Sequence, residues 1–289
     1  MPGSLHFPAP TTLEYFAALV ADDASLPLVE AAASIAQDAY PQLDTQGVLA
    51  AIDAHAAKLR RRIPADAVPV QRLRWLNHYF FQELGFGGNA NDYYDPRNSY
   101  LHVVLDTRRG IPITLALIYL ELAGQIGLTA HGVSFPGHFL VKLRMPQGEV
   151  IIDPFSGHSL SRDALEELLL PYKRGGMAGR FDAPLALFLQ SAPPRDVLAR
   201  MLRNLKEIHR SAEAWTPLLA VTQRLVVLLP RAWAERRDRG LAYAALGCDV
   251  QAADDLAAYL EHARDAADRD AIAARLAQLA RGRPSPRLH

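Results

Sequence analysis

From Thr11 to about Leu84 the apolar residues recur at helical spacing. Leu13, Phe16, Ala17 and Val20 form one stripe, and Val29, Ala33 and Ile35 a second. Val48, Ile52 and Leu59 mark a third segment. A fourth, opened by Pro69, carries Val70, Leu73, Leu76, Phe80 and Leu84. Asp22-Asp23, Pro41 and Pro64 separate these stripes, so the pattern predicts a run of amphipathic helices.

The texture changes at Gly85. Gly85–Pro96 is turn chemistry mixed with aromatics and predicts an ordered loop. A helical stretch follows from Asn98 to about Arg108, interrupted by Gly110-Ile111-Pro112. Ile113–Ile126 is apolar nearly all round, so that helix has to be buried on most sides, and Gly127 is placed to end it. Beyond it the period shortens to two. Thr129–Phe135, His138–Leu143 and Glu149–Asp153 read as strands, the last two an antiparallel hairpin around Pro146-Gln147-Gly148. Ser161–Leu170 returns to helix with Ser161 as N-cap, and Lys173–Gly179 reads as an exposed loop.

From Arg195 the chain is helical in short pairs: Arg195–Ser211 with Ala214–Leu229, Arg231–Leu246 with Val250–His262, then Arg269–Arg281. Gly240, Tyr243, Ala252 and Leu256 fall at offsets resembling the tetratricopeptide pattern. The division expected is a helical N-terminal section (1–88), a core (89–190), a helical-repeat region (195–282) and a disordered tail (283–289).

Composition narrows the function classes. Lys+Arg and Asp+Glu both number 31, so the formal net charge is zero, and no basic patch interleaved with aromatics appears. Lys58–Arg62 reads as a solvated helix face. Nucleic acid is therefore not an expected partner. The apolar runs fall short of the roughly 20 residues that span a bilayer, and Met1–Pro10 lacks the form of a secretory signal. A cytoplasmic protein without membrane contact is the expectation. The single cysteine excludes an intramolecular disulfide framework or a cysteine-based metal cluster.

The hairpin carries His138 on one strand and Asp153 on the next, within about two positions of directly opposite. An aspartate orienting a histidine in front of a helix N-terminus is the layout of a Cys-His-Asp acyl-transfer site. Histidines 102, 131, 138 and 158, with Asp95 and Asp153, lack ligand spacing, so neither metal nor cofactor is expected. Tyr93, Tyr94, Asn98 and Arg109 are candidates to line a groove beside His138 and hold a protein or peptide carboxylate. The competing reading gives Asn98 and the arginines structural hydrogen bonds.

Four strings carry a resemblance: Tyr94–Leu101 (YDPRNSYL), Arg108–Ala116 (RRGIPITLA), Gly132–Leu140 (GVSFPGHFL) and Ile152–Gly157 (IDPFSG). With them the chain resembles the transglutaminase-like superfamily, of papain-like fold, and more closely its bacterial SirB-type branch. The resemblance implies an α+β fold: a buried helix packed on a small antiparallel sheet, a helical lead-in and a tetratricopeptide-like tail. Active members open the buried helix with glycine, one residue and the cysteine nucleophile, with a small residue four positions later. Aligning Ala116 with that small residue, and Gly127-Leu128 with the Gly-Ile that usually follows the helix, puts Pro112 at the nucleophile position. His138 and Asp153 match the other two triad positions.

The sole cysteine, Cys248, lies in the repeat region, where a small apolar filler is its simplest role. The expected function is thus a degenerate, non-catalytic binding or regulatory scaffold. The alternative is an active hydrolase or acyltransferase pairing His138–Asp153 with a hydroxyl, water or metal. Of the nearby hydroxyls, Thr114 points about 200° round the helix from Pro112, and Ser99 and Ser134 are neighbours in sequence only.

Overall fold

A computed structural model describes residues 10–174 and 183–282. The expected exposed loop Lys173–Gly179 falls mostly outside them, and the tail 283–289 wholly so. In chain order the helices are α1 (Thr12–Leu19), α2 (Leu28–Ser34), α3 (Thr45–Arg60), α4 (Pro69–Asn77), α5 (Leu101–Thr107), α6 (Pro112–Gln125) and α7 (Arg162–Arg174). They continue with α8 (Leu185–Phe188), α9 (Pro194–Ser211), α10 (Trp215–Leu228), α11 (Trp233–Ala245), α12 (Asp249–His262) and α13 (Arg269–Gly282). The strands are β1 (Gly87–Gly88), β2 (Arg109–Gly110), β3 (Ala130–Val133), β4 (Leu140–Met145), β5 (Gly148–Ile152) and β6 (Ser159–Leu160). Contacts divide the chain into two compact units, Asp23–Met201 and a second made of residues up to Asp22 with those from Leu202 onward.

In the first unit, α6 is the buried centre. Nearly every side chain from Pro112 to Tyr119 is inaccessible, as its apolar sequence requires. Gly127, at φ 77°, ends the helix, and the Leu128 N–H reaches back to the Ala123 carbonyl (2.9 Å). An antiparallel sheet of order β3-β4-β5-β6 packs on α6. Met145 pairs with Gly148, so Pro146-Gln147 is a two-residue turn as expected. Ser161 caps α7 by accepting from the Ala164 N–H (3.2 Å).

The structure departs from the periodicity in several places. The fourth stripe is not one helix: α4 passes into a π-helical turn over His78–Glu83, which stacks Phe80 on Phe86 (4.4 Å). The stretch after Asn98 divides into a 3-10 turn (Pro96–Ser99) and α5, which Arg108 ends in the left-handed region at φ 62°. The parallel β1–β2 ladder and β6 are too short for a period-two signal.

In the second unit α1 joins the C-terminal helices, although the stripe pattern grouped it with residues to 88. Phe16 of α1 is fully buried, and the Arg224 guanidinium of α10 lies 4.9 Å from its ring centre. Periodicity marks the face a helix buries and not what covers it. In the repeat, α11 and α12 cross so closely at Gly240 that a Cβ there would sit 2.9 Å from Leu256. Charge is buried in this unit as well. Glu235 is 4% exposed and accepts from Lys206 (2.6 Å) and Arg203 (2.7 Å), while Lys206 also reaches Asp238 (2.7 Å). Burial pushes the Lys206 ammonium down, but its bonds to Asp238 and Glu235 outweigh this and hold it above the usual lysine value.

Replacing Lys206 with methionine leaves Glu235 with Arg203 alone and Asp238 without this cation. It should destabilise the repeat by about 3 kcal/mol at neutral pH. The wild-type contribution is complete below the unfolded lysine value near pH 10 and is lost as pH rises through the higher folded one. Urea unfolding checks this, and an unchanged midpoint at pH 7 would refute it.

Candidate functional site

The loop before α6 is tied by one buried residue. Asn98 is 4% exposed. Its amide nitrogen donates to the carbonyls of Asp92 (2.7 Å) and Tyr93 (3.3 Å), and its side-chain oxygen accepts from Asn89 (3.0 Å). Its own carbonyl accepts from the Thr114 hydroxyl (2.6 Å) and the Ile111 N–H (3.4 Å), fixing the loop to the first turn of α6. Asp95 caps the 3-10 turn through the Arg97 N–H (2.9 Å) and pairs with the Arg97 guanidinium (2.7 Å). Gly88 is held by its N–H to the Phe155 carbonyl (2.9 Å), and a Cβ there would lie 2.3 Å from the Phe155 ring. The Arg109 guanidinium donates to the carbonyls of Gly85 (2.5 Å) and Arg108 (3.0 Å), so it braces the same loop.

Pro112 is the first residue of α6 and is buried. Its missing N–H costs the helix nothing there. His138 lies in the turn before β4 rather than in the strand, with its N–H bonded to the Phe135 carbonyl (3.1 Å). Val141 pairs with Ile152, so Asp153 faces Leu140 and His138 is the diagonal neighbour on that face. The two side chains form no hydrogen bond or ion pair among the described residues. The Asp153 carboxylate instead accepts from the Phe155 N–H (2.9 Å) and the Ser156 hydroxyl (2.8 Å), closing the turn that leads to β6. The half-buried His138 imidazole has no hydrogen-bond partner among the described residues.

Thr114 is fully buried and bonded to Asn98, and Ser99 is fully buried with no partner for its hydroxyl. Ser134 accepts from Arg200 (2.8 Å). Tyr94 projects outward, 76% exposed, beside Tyr93, whose ring centre lies 6.0 Å from that of Phe155. Among the described residues no three His, Cys, Asp or Glu side chains are grouped to hold a metal. No helix among them is long and apolar enough to cross a membrane.

A transglutaminase-like superfamily model matches residues 46–203, and a tetratricopeptide-repeat model matches 205–277. The chain belongs to the transglutaminase-like superfamily. Its relatives are UPF0162 proteins. The one from Xylella fastidiosa 9a5c is 39% identical over 241 residues, 83% of this chain and 85% of that protein. The one from Pseudomonas aeruginosa is 31% identical over 253 residues, 88% and 91% of the two chains. YchA of Escherichia coli K12 is 28% identical over 229 residues, 78% and 79%. No solved structure matches the chain significantly.

Within the transglutaminase-like core, motif reading missed Arg200 as a neighbour of the candidate site. From α9 its guanidinium donates to the Ser134 hydroxyl and the Phe135 carbonyl (3.0 Å) and lies 5.7 Å from the Phe139 ring centre. It thereby holds the turn that presents His138. Burial pushes Arg200 below the usual arginine value, and burial pushes the nearby Tyr93 phenol up, with Arg200 opposing that rise. The signal available was a cation between Val197 and Met201 on an otherwise apolar helix face. Tyr172 also packs against this turn, so tightly that a Cβ at Gly137 would sit 1.8 Å from its hydroxyl.

Asn98→Ala removes the amide that joins Asn89, Asp92 and Tyr93. The loss should be about 2–3 kcal/mol, with faster amide exchange across 89–98. Hydrogen exchange and thermal melting check both; unchanged exchange in this loop would contradict the assignment.

Proposed function

We propose that the chain is a non-catalytic transglutaminase-like protein, a binding and regulatory scaffold with Pro112 at the nucleophile position. The observation that carries this reading is the state of the three triad positions. The first turn of α6 offers a buried proline. The Asp153 carboxylate oxygens accept from the Phe155 N–H and the Ser156 hydroxyl of a local turn, and among the described residues neither accepts from the imidazole it would orient. Acyl transfer by this fold needs a nucleophile, a base within reach of it and a group to fix the base.

In this reading Tyr94 and His138 face the partner, and Asn98 and Arg109 hold the loop that presents them. The tetratricopeptide-repeat region supports a protein or peptide as that partner. Zero net charge supports it over nucleic acid. One observation favours the second reading, an active hydrolase or acyltransferase. The His138 imidazole is half-buried and has no hydrogen-bond partner among the described residues, so it is chemically available to a substrate or a water.

A screen of the purified protein against amide, ester and peptide substrates separates the two. Wild type, His138→Ala and Cys248→Ser should be equally silent. Turnover that His138→Ala abolishes would establish the enzyme. Thiol-dependent turnover lost in Cys248→Ser would also overturn the scaffold reading.

A further inference from the structure

Helix α6 is built for complete burial, yet one part of it is left open. Leu117 and Leu120 of α6, with Leu49 of α3, line a groove of about 400 Å³ completed by the start of α2. Leu120 and Leu49 remain partly exposed there. A groove of this size holds one or two large side chains.

The charged side chains lining it are Glu30, Asp53 and Glu121, all of one sign. Asp53 and Glu121 are brought together by a single amide, the Gln125 nitrogen, which donates to both (2.6 and 2.9 Å). Glu30 accepts from Gln46 (2.7 Å). The neighbouring cation, Arg60, bonds to the Gln125 oxygen (3.4 Å) and not to either of these carboxylates. Two carboxylates sharing one neutral donor repel one another, and an incoming cation relieves that repulsion. Pro27, Leu28, Leu49 and Leu120 line the groove beside these carboxylates, which suits an extended organic cation with apolar surface next to its charge.

We infer that this groove docks a basic amphipathic segment of a partner protein, with an aliphatic side chain against the partly exposed Leu49 and Leu120 and Lys or Arg against Asp53 and Glu121. The inference does not depend on whether the site at His138 is catalytic. Affinity then depends on both halves of the match: leucine without lysine lacks the charge, and lysine without leucine lacks the burial.

The test uses a fluorescein-labelled helical peptide with leucines at i, i+3, i+4 and i+7 and lysines elsewhere, titrated into the full chain. Two controls replace its lysines with glutamates or its leucines with serines. The leucine–lysine peptide should bind, each control should bind at least tenfold more weakly, and amides of 49–53 and 117–121 should gain exchange protection. Asp53→Asn combined with Glu121→Gln should weaken binding at least tenfold with the melting temperature kept. Leu120→Gln, changed on the apolar side alone, should do the same. Absence of binding, equal binding by the serine control, or an affinity unchanged in both variants would overturn the inference. So would concentration-dependent self-association of the wild type lost in the double variant, which would make a second copy the occupant.

Discussion

The burial of α6 is the constraint on which the first unit depends. A helix with so few polar positions cannot face water along most of its length, so sheet, loop and neighbouring helices are arranged to cover it. Its two buried polar side chains show how strict the arrangement is. Thr114 donates to the Asn98 carbonyl, and Tyr119 donates to the Asn77 side chain (2.6 Å). Without such partners each would carry the full penalty of a buried, unsatisfied group. Burial also pushes the Tyr119 phenol well above its usual value, so it stays neutral.

That constraint also shapes the candidate site. The Asn98 backbone carbonyl anchors the first turn of α6, and the Asn98 side chain orders the loop that carries Tyr93 and Tyr94. On the far side, Arg200 and the close approach of Tyr172 to Gly137 hold the turn before β4. These bonds and close contacts hold the superfamily scaffold in place around Pro112 and His138. Rigid presentation of surface aromatics and an imidazole suits recognition, because little conformational entropy is lost on binding.

Local signals made much of this legible. The hairpin at Pro146-Gln147, the stop at Gly127, the Ser161 cap and the crossing at Gly240 each depend on backbone geometry that a few residues impose. Tertiary choices were not legible. The stripe Leu13–Val20 predicted a helix but not that Arg224 and its neighbours would cover Phe16. The spacing placed His138 and Asp153 within about two positions of directly opposite, yet the carboxylate bonds to the Phe155 N–H and the Ser156 hydroxyl. Arg200 is 62 residues from His138 in the chain, and only its place on an apolar stripe marked it.

The account's central claim is that the core holds no activated nucleophile. Intact-mass and peptide-level mass spectrometry after treatment with thiol-directed and hydroxyl-directed electrophilic probes tests it most directly. Thiol probes should modify Cys248 alone, and hydroxyl probes should leave residues 94–153 unlabelled. A stoichiometric adduct on Ser99, Thr114 or Ser134 that His138→Ala prevents would contradict the claim.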